Sequence, residues 1–549
     1  AKASYFSGFI KGMERIGGFG GKSDILARSA IYFDDPNYYK VQLQHVAETT
    51  LGQIKETANQ WLTKGKHTLI CNPFPDYSVT TSEVDRSELP ELGDPVSVSF
   101  PDLQQATLKN GLNVVLAKRS GVPTVVMNLL VDAGYASDQF GSPGTAALAM
   151  NMMDEGTKNY NSLEINEKLQ LLGASLSTSS DLDNSYVNMT TLTPSLESSL
   201  ELFSEVVLNP AFPEADFERL KKEQMVKIQQ EKAQPIQMAL RVIPQYLYGK
   251  GHAYSLPLTG SGYEETVANL SREDIVKFYE SWMKPNNATL VVVGDIEMNW
   301  LTQKLEDLFG KWKSGDVPQK NIAPVQTAQK NTLFLMDRPE SEQSVIIAGH
   351  LTNPYGEVSE IARETMIKVL GGQFTSRINM NLREDKHWSY GAGGFVWNAK
   401  GQRPLMVYAP VQTDKTSESV EELIKEVNQY VGDKPITDEE LEKVNTNNIL
   451  QLPGKWETNG SVAGSINSII KYELPDDYYQ TYGEKVRGLK LEEVRKTSET
   501  MILPSEFNWF VVGDKAKIME GLEGIGFSDI VEIDADGKPL GLGGKIEVE

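Results

Sequence analysis

The side chains best suited to metal or nucleophilic chemistry are few in this sequence and lie far apart. The histidines are His45, His67, His252, His350 and His387. The closest two are 22 residues apart, so no pair has the spacing at which one helix presents two metal ligands. The single cysteine, Cys71, excludes an internal disulfide and a Cys-based metal cluster. We therefore predict no zinc site in this chain, and we expect the histidines to be surface or capping residues and Cys71 a small buried hydrophobe.

Residues 141–157 have the pattern of a short apolar helix, Gly-Ser-Pro-Gly-Thr-Ala-Ala-Leu-Ala-Met-Asn-Met-Met-Asp-Glu-Gly-Thr. Pro143 stands just before the helical run, and Gly156 is predicted to end it. The segment resembles the zinc helix of the pitrilysin/insulinase family, in which Gly-x-Ala leads into His-x-x-Glu-His, then Met, and a final Gly-Thr. The framing residues that match are Gly144, Ala146, Met152, Gly156 and Thr157.

The positions that carry the chemistry of that motif do not match. This chain has Ala147, Met150 and Asn151 where the family has His, Glu and His. Zinc-dependent hydrolysis needs two imidazoles one helical turn apart and a carboxylate that acts as general base, and these side chains supply neither. The resemblance also implies a carboxylate ligand about 70 to 80 residues downstream, the neighbourhood of Glu223 and Glu231. One carboxylate without the histidines makes no site, so the segment is predicted to be a plain core helix.

A second constellation occupies residues 371–391, Gly-Gly-Gln-Phe-Thr-Ser-Arg-Ile-Asn-Met-Asn-Leu-Arg-Glu-Asp-Lys-His-Trp-Ser-Tyr-Gly. It resembles the family motif in which a small-residue turn leads to Ser-Arg and a helix ending in Arg-Glu, with a tyrosine seven residues after that arginine. Arg383 and Tyr390 have this spacing. In the family the pair reaches into the active site of the other half and helps to hold the scissile peptide and its developing oxyanion, a role that guanidinium and phenol donors suit. The alternative is an Arg383–Glu384 surface pair beside a buried Tyr390.

An internal repeat of about 220 residues organises the elements around these segments. At a shift of 221, the residues that correspond to Val46, Ile54, Trp61, Leu69 and Ile70 are Val267, Ile275, Trp282, Leu290 and Val291. At a shift of 440, the residues that correspond to Tyr39, Val46, Leu51, Ile54, Leu69 and Ile70 are Tyr479, Val486, Leu491, Val494, Trp509 and Phe510. Each copy predicts a helix followed by a strand. In the second copy, Ser271 and Asp274 form a capping-box pattern, and residues 289–293 are apolar and β-branched.

The repeat predicts an α+β fold built from units of about 220 residues, each a mainly antiparallel sheet packed with helices, as in pitrilysin and mitochondrial processing peptidase. We expect the back end of a preceding unit over residues 1–90, a linker over 91–97, and a complete unit over 98–315 that opens with a hairpin at Asn110-Gly111. A second linker over 316–330 leads to the last unit, 331–549. Because residues 1–90 lack the front of their unit, they are expected to have an unpaired sheet edge or an apolar face, which is covered by another chain or left partly disordered.

The composition limits the partners. The formal net charge is −22, which argues against nucleic acid and mildly favours basic peptides; the alternative is that the charge only maintains solubility. The apolar runs fall short of the length of a membrane span. The chain begins with Ala1 rather than Met, so the lack of a visible signal peptide says little.

By resemblance, this chain is the non-catalytic, substrate-binding half of a bacterial zinc-dependent endopeptidase of the pitrilysin/insulinase family. Zinc is expected in a catalytic half, either upstream on the same polypeptide or on a separate subunit, and unfolded peptides are the expected substrates. The chain alone is predicted to be inactive. The alternative is a catalytically silent scaffold, like the peptidase-derived core subunits of respiratory complexes. The compartment is left open, with the periplasm slightly favoured over the cytoplasm.

Overall fold

The computed structural model describes residues 1–63, 65–70, 98–326 and 331–540. The chain divides into two compact units, residues 1–98 and residues 99–549, and each is described by itself. Cys71, the linker expected over 91–97 and part of the second linker, 327–330, lie outside the described residues.

The first unit is helical in most of its described part. Its helices are α1 (Lys2–Gly12), α2 (Lys22–Phe33), α3 (Tyr39–Glu48) and α4 (Leu51–Trp61). The strand that the first copy of the repeat predicts at Leu69 and Ile70 is wrong, because both residues lie outside any strand. A strand needs a neighbour to pair its N–H and C=O groups, and no described residue of this unit forms one.

The described strands of the second unit form two six-stranded sheets. The first sheet contains β1 (Leu103–Thr107), β2 (Asn113–Lys118), β3 (Thr124–Val131), β4 (Ser175–Ser180), β5 (Ser185–Leu192) and β6 (Ala288–Gly294) in the order β1-β2-β6-β3-β5-β4. The second contains β7 (Thr332–Asp337), β8 (Gln343–Thr352), β9 (Gly393–Val396), β10 (Arg403–Gln412), β11 (Asn508–Gly513) and β12 (Asp529–Glu532) in the order β12-β7-β11-β8-β10-β9.

Helices follow and cover these strands. Around the first sheet they are α5 (Thr145–Asn151), α6 (Ser162–Leu172), α7 (Leu196–Leu208), α8 (Glu214–Ala233), α9 (Pro235–Tyr248), α10 (Glu264–Ala268), α11 (Arg272–Trp282) and α12 (Met298–Phe309). After β8 come α13 (Glu360–Ile367), α14 (Arg377–Asn379), α15 (Thr416–Val431), α16 (Asp438–Leu450), α17 (Leu452–Lys455), α18 (Asn459–Lys471), α19 (Tyr478–Gly488), α20 (Leu491–Met501) and α21 (Lys515–Glu523). Short 3-10 turns span Tyr135–Phe140, Thr193–Ser195, Pro285–Asn287, Thr413–Lys415 and Pro504–Glu506.

The two sheets share one plan, and the predicted α+β class with mainly antiparallel sheets is confirmed. The predicted hairpin forms at β1–β2, where Gly111 adopts φ +90°, a conformation that glycine tolerates. The apolar strand β6 lies inside the first sheet, parallel to β2 and antiparallel to β3. In the second sheet β11 lies in the same way, parallel to β7 and antiparallel to β8.

The repeat extends to the bounds of individual helices. Helices α4, α11 and α20 begin and end at equivalent positions, because shifts of 221 and 440 residues carry the first onto the other two. The predicted capping box at Ser271 and Asp274 is present. Thr50 and Gln53 form a capping box at the equivalent place before α4.

The core of the second unit is continuous across both sheets. One cluster of buried side chains includes Val114 and Leu290 from the first sheet and Ile347 and Phe510 from the second. Two helices cross from one repeat to the other: α9 packs against β8 and β11, whereas α18 packs against β3 and β6. Burial of these apolar faces holds the two sheets in one body.

Candidate functional site

Helix α5 carries the degenerate motif, and a buried carboxylate fixes its start. Asp138 accepts hydrogen bonds from the backbone N–H groups of Gly144 at 2.7 Å and Ala146 at 2.8 Å. Burial raises the pKa of Asp138 to about 7, although these backbone bonds act in the opposite direction. Gly144 has φ +101°, and a Cβ there would lie 2.8 Å from both Gln224 Nε2 and the Ser261 carbonyl. Only glycine fits this tight, left-handed entry to the helix.

The three degenerate positions lie on different parts of α5. Ala147 is half-buried and Asn151 is exposed, one turn further on, whereas Met150 points into the core. The helix ends at Asn151 and not at Gly156 as predicted, since a turn follows. A methyl group has no donor atom, and a thioether and a neutral amide are not among the imidazole, carboxylate and thiolate ligands of zinc sites. Across the described ranges, no group of three His, Cys, Asp or Glu side chains is placed to hold a metal ion.

Neither downstream carboxylate faces α5 as a ligand. Glu223 pairs with Arg219 at 3.1 Å on the surface of α8. Glu231 is buried and accepts from Arg241 Nη1 at 2.8 Å and from Ser261 Oγ at 2.6 Å. Both charges therefore already have partners.

The α8 side chain that reaches α5 is Gln224, which the sequence analysis missed. Its amide donates to the carbonyl of Gly144 at 3.0 Å and to that of Ser261 at 2.8 Å. The spacing of the residues on α8 could have indicated that Gln224 is buried. Gln224 recurs at helical intervals with Ile228 and Glu231, and the three share the buried face of the helix.

The histidines depart from the prediction at His350. His350 is fully buried; it packs on Phe507 and its Nε2 accepts from the backbone N–H of Leu503 at 3.3 Å. Burial lowers the pKa of His350 to about 4. His252 is also buried, but its Nδ1 accepts from Tyr254 N and so caps a turn, which agrees with the prediction of a capping histidine. A neutral imidazole can be buried because it both donates and accepts hydrogen bonds.

The second motif is built on two π-helical segments, Lys368–Gly372 and Met380–Asp385. Such segments are rare in proteins as a whole, and those that occur often lie at functional sites. Gly371 lets the first segment touch β9, since a Cβ there would lie 2.1 Å from the backbone nitrogen of Gly394. Asn379 Oδ1 accepts a hydrogen bond from Ala392 N at 3.1 Å and so fixes the position of the following loop. The predicted Ser-Arg turn and helix are therefore present, with wider helical turns than expected.

Arg383 and Tyr390 lie together at this motif. The guanidinium carbon of Arg383 is 4.6 Å from the ring centre of Phe374 and 5.1 Å from that of Tyr390. Arg383 Nε also pairs with Glu384 at 3.3 Å. Tyr390 is 88% exposed. The alternative interpretation, a surface Arg383–Glu384 pair beside a buried Tyr390, is therefore correct for the ion pair. It is wrong for the tyrosine.

The other arginine of the motif, Arg377, has a structural role. Its Nε and Nη2 bond both carboxylate oxygens of Glu440 at 2.8 and 2.7 Å, and its guanidinium packs on Tyr430. This bidentate pair joins the motif to α16. Arg383 is thus the motif arginine that lies beside an exposed aromatic side chain.

A cavity of about 590 Å³ adjoins the motif. Its lining includes Gly371, Phe374, Asn379, Phe395 and Tyr408. Phe374 links the two features, because it lines the cavity and also packs against Arg383.

Comparisons with known proteins agree with the fold and with the family that the sequence resembles. Residues 113–257 match the family model described as insulinase (peptidase family M16), and residues 269–448 match that of the peptidase M16 inactive domain. The chain belongs to peptidase family M16. An uncharacterized zinc protease of Rickettsia felis is 22% identical over 399 residues, which cover 71% of this chain and 93% of the relative.

Solved structures show the same fold. The peptidase M16 inactive domain from Pseudomonas fluorescens superposes with a TM-score of 0.70 at 20% identity, covering 75% of this chain and 98% of that one. The first half of the periplasmic protease PqqL from Escherichia coli gives a TM-score of 0.59 at 14% identity, with 81% and 99% covered. This chain spans 51% of the complete PqqL chain. In the parts of the chain that the structure describes, no helix is both long and apolar enough to cross a membrane.

Proposed function

We propose that this chain is the non-catalytic, substrate-binding half of a zinc-dependent endopeptidase of family M16. It encloses unfolded peptides and presents Arg383 and Tyr390 to an active site whose zinc is held by a catalytic half, upstream on the same polypeptide or on a separate subunit. We place its peptidase-like units at residues 98–315 and 331–549, the back end of a further unit at 1–90, and the linkers at 91–97 and 316–330. The relatives named zinc proteases support the metal chemistry of the whole enzyme.

The observation that carries this proposal is the exposed stack of Phe374, Arg383 and Tyr390. A purely structural arginine is expected to be held in a bidentate pair, as the half-buried Arg377 is with Glu440. Arg383 instead packs between two rings, and its one ion pair is with a partly exposed neighbour. Stacking orders the guanidinium while its pairing with Glu384 is weak.

This arrangement suits contact with a peptide carbonyl. Hydrolysis develops negative charge on the carbonyl oxygen, and positioned N–H and O–H donors stabilise that charge most strongly where water is excluded. The Arg383 guanidinium and the Tyr390 hydroxyl supply such donors. The residues on α5 supply neither a metal ligand nor a general base, so this chain contributes substrate contacts and not water activation.

Reconstitution with the catalytic half tests the proposal. The chain alone should bind no stoichiometric zinc and cleave no peptide, whereas addition of the polypeptide that carries the His-x-x-Glu-His motif should give cleavage. Arg383→Ala should then lower kcat/KM by about 10²- to 10³-fold. Tyr390→Phe should lower it less, because the ring that packs on Arg383 is retained.

The matched control is Arg219→Ala, which removes a surface arginine paired with Glu155, Asp216 and Glu223 at 2.7, 3.2 and 3.1 Å. It should leave turnover unchanged, and neither arginine variant should lower the melting temperature by more than a few degrees. Equal turnover with and without Arg383 would instead identify a silent scaffold. Hydrolysis or tight zinc binding by the chain alone would also contradict the proposal.

We also propose a periplasmic location, by analogy with PqqL, which is described as a periplasmic protease. Fractionation of cells that express the complete gene product from its own promoter tests this. Recovery with cytoplasmic markers would contradict it.

A further inference from the structure

We propose that a cavity lined by both repeats of the second unit binds an organic cation, namely an alkylammonium or guanidinium group. Aromatic rings and the carboxylate of Asp181 line this cavity. Such a cation is carried by the Lys and Arg side chains of peptides and also by free amines and guanidines. The inference goes beyond the proposed function, because this binding needs no catalytic half.

The cavity has a volume of about 570 Å³. Tyr135 and Tyr186 lie on the side of the first sheet, Trp397 follows β9 of the second sheet, and Tyr472 follows α18. Ligand pockets commonly have volumes of roughly 300–1,000 Å³ and aromatic walls. The cavity is therefore large enough for a long side chain together with part of the chain that carries it.

The aromatic walls suit a cation. The faces of aromatic rings carry partial negative charge and attract ammonium and guanidinium groups. One ammonium is already held in this way, since Lys471 Nζ lies 5.5 Å from the ring centre of Tyr472. Burial opposes the charged form of Lys471, yet Asp181 and the other neighbours hold its pKa above the ordinary value. The surroundings thus stabilise a positive charge strongly enough to offset its loss of water.

The charges at the cavity favour a second cation. Asp181 and the fully buried Asp183 share one ammonium, that of Lys471, at 2.9 and 3.6 Å. Lys320 and Lys400, the other lysines of this ion network, pair with a different carboxylate and do not line the cavity. The side chain of Asp181 is 42% exposed and that of Lys471 is 9% exposed. A guest therefore meets the carboxylate rather than the ammonium.

The tyrosines of the cavity experience the same negative charges. Burial raises the pKa of Tyr135, Tyr186 and Tyr472, and the charges of Asp181 and Asp183 raise it further. At Tyr472 the neighbouring ammonium acts in the opposite direction without cancelling the rise. The phenols therefore stay neutral, and the negative potential along this wall attracts cations.

The amide of Asn467 is a second polar feature of the cavity. Asn467 lines the cavity from α18, and its Oδ1 is buried with no hydrogen-bond partner among the described residues. A buried acceptor without a partner is costly and uncommon in folded proteins. Because Oδ1 has no bond to lose, the amide can turn and accept an N–H group from a guest in the cavity.

The cavity adjoins the one beside the Arg383 motif. Phe395, Val396 and Asn398 line both cavities, so the two join into one groove. A peptide that contacts Arg383 can therefore lay a basic side chain against Asp181, whereas a free amine needs only the cavity itself. The net charge of −22 favours basic guests of either kind. The peptide source alone rests on the proposed function.

Titration calorimetry of the full chain at low salt tests the inference. The probes are a capped Ala-Ala-Arg-Ala-Ala peptide, the same peptide with citrulline in place of arginine, and n-butylguanidinium. The arginine peptide should bind, and the citrulline peptide, which keeps the shape without the charge, should bind at least tenfold more weakly. The affinity of the arginine peptide should fall as salt is added, because salt screens partly exposed charges.

Two variants locate the binding. Asp181→Asn keeps the size and one acceptor but removes the charge, and should weaken binding at least tenfold. Asn467→Leu should weaken binding at least threefold without lowering the melting temperature, because it removes an acceptor that has no partner. The matched control is Asn445→Leu on α16. Asn445 Oδ1 is also buried without a partner among the described residues, but it does not line the cavity, so this variant should bind as the native chain does.

The outcomes distinguish the two sources and leave the proposed function to its own test. Tighter binding of the arginine peptide than of n-butylguanidinium would identify a peptide side chain as the ligand, and equal binding would identify a free organic cation; both results support the site. No binding of either cation, equal binding of the citrulline peptide, or unchanged affinity in both cavity variants would overturn the inference. None of these measurements involves cleavage, so reconstitution with the catalytic half can fail or succeed independently.

Discussion

At the scale of single residues, α5 differs from a metal-binding helix at very few positions. Ala147 and Asn151 stand four residues apart on a partly exposed face, the spacing at which two imidazoles can share a zinc ion. Gln224 contacts Gly144, about one helical turn before Ala147. The helix itself is present, so α5 differs from a metal-binding helix in the identity of its side chains.

Restoring the ligands should restore zinc binding. Ala147→His with Asn151→His should bind zinc weakly, and adding Gln224→Glu should tighten binding by about tenfold or more because it supplies a third ligand. The triple variant should be less stable without metal, since the new carboxylate would face the carbonyls of Gly144 and Ser261. Zinc should raise its melting temperature, because metal binding adds to folding stability.

Titration calorimetry and metal analysis check this prediction, with the single variant Asn151→His as the control that should bind no stoichiometric zinc. No hydrolysis is expected, because Met150 remains in place of the general base. A folded triple variant that binds no zinc would show that Gln224 and the exposed face of α5 do not converge on one point.

At the scale of elements, the Arg383 motif depends on close contact between the first π-helical segment and β9. A Cβ at Gly371 would meet only backbone atoms, at 2.1 Å from Gly394 N and 2.7 Å from Gly393 C. Backbone cannot rotate away as a side chain can, so Gly371→Ala should lower the free energy of unfolding by about 1–3 kcal/mol. Denaturant titration measures this loss.

Gly464→Ala is the matched control. Gly464 lies inside α18, and an added Cβ there would meet no atom within 4 Å. Alanine should stabilise that helix by up to about 1 kcal/mol. If Gly371→Ala proved as stable as the native chain, the contact with β9 would be looser than the structure shows.

The sequence predicted elements well where local signals and the repeat agreed. The hairpin at Gly111, the capping box at Ser271 and the buried strand β6 are all present. It failed at Leu69 and Ile70, whose strand pattern needs neighbours that the described part of the first unit lacks. Strand pairing is non-local, so an isolated segment cannot reveal whether a partner strand exists.

The candidate site residues were proposed from the sequence, but their environment could not be. The resemblance of the motif singled out Arg383 and Tyr390, yet the exposure of Tyr390 and the stack on Phe374 depend on a π-helical turn with no simple sequence signature. The bidentate partner of Arg377 is Glu440, 63 residues away. Burial of His350 likewise depends on packing across the sheet, which pattern reasoning from nearby residues does not capture.

At the scale of the whole second unit, a buried ion network ties the first sheet to a helix of the later repeat. Lys471 on α18 pairs with Asp181 at 2.9 Å and Asp183 at 3.6 Å in the turn between β4 and β5. Asp183 is fully buried and also accepts from Tyr254 Oη at 2.5 Å and Lys400 N at 3.0 Å. Burial alone would lower the pKa of Lys471, but Asp181 and its other neighbours raise it above the ordinary value. Because the folded pKa is raised, this stabilisation is complete at neutral pH and is lost only as pH rises through the folded pKa.

Lys471→Met should therefore destabilise the whole second unit. It keeps most of the side-chain volume but leaves two carboxylates without their buried cation, which should cost about 3–5 kcal/mol. Lys400→Met is the control: its pair with Asp132, at 2.9 Å, is partly exposed and should contribute about 0–1 kcal/mol. Adding Asp181→Asn to Lys471→Met should recover part of the loss, because the two residues are coupled. Calorimetry of the native chain and the three variants measures these differences in stability. Equal destabilisation by Lys471→Met and Lys400→Met would show that apolar packing of α18, and not the ion network, holds the two sheets together.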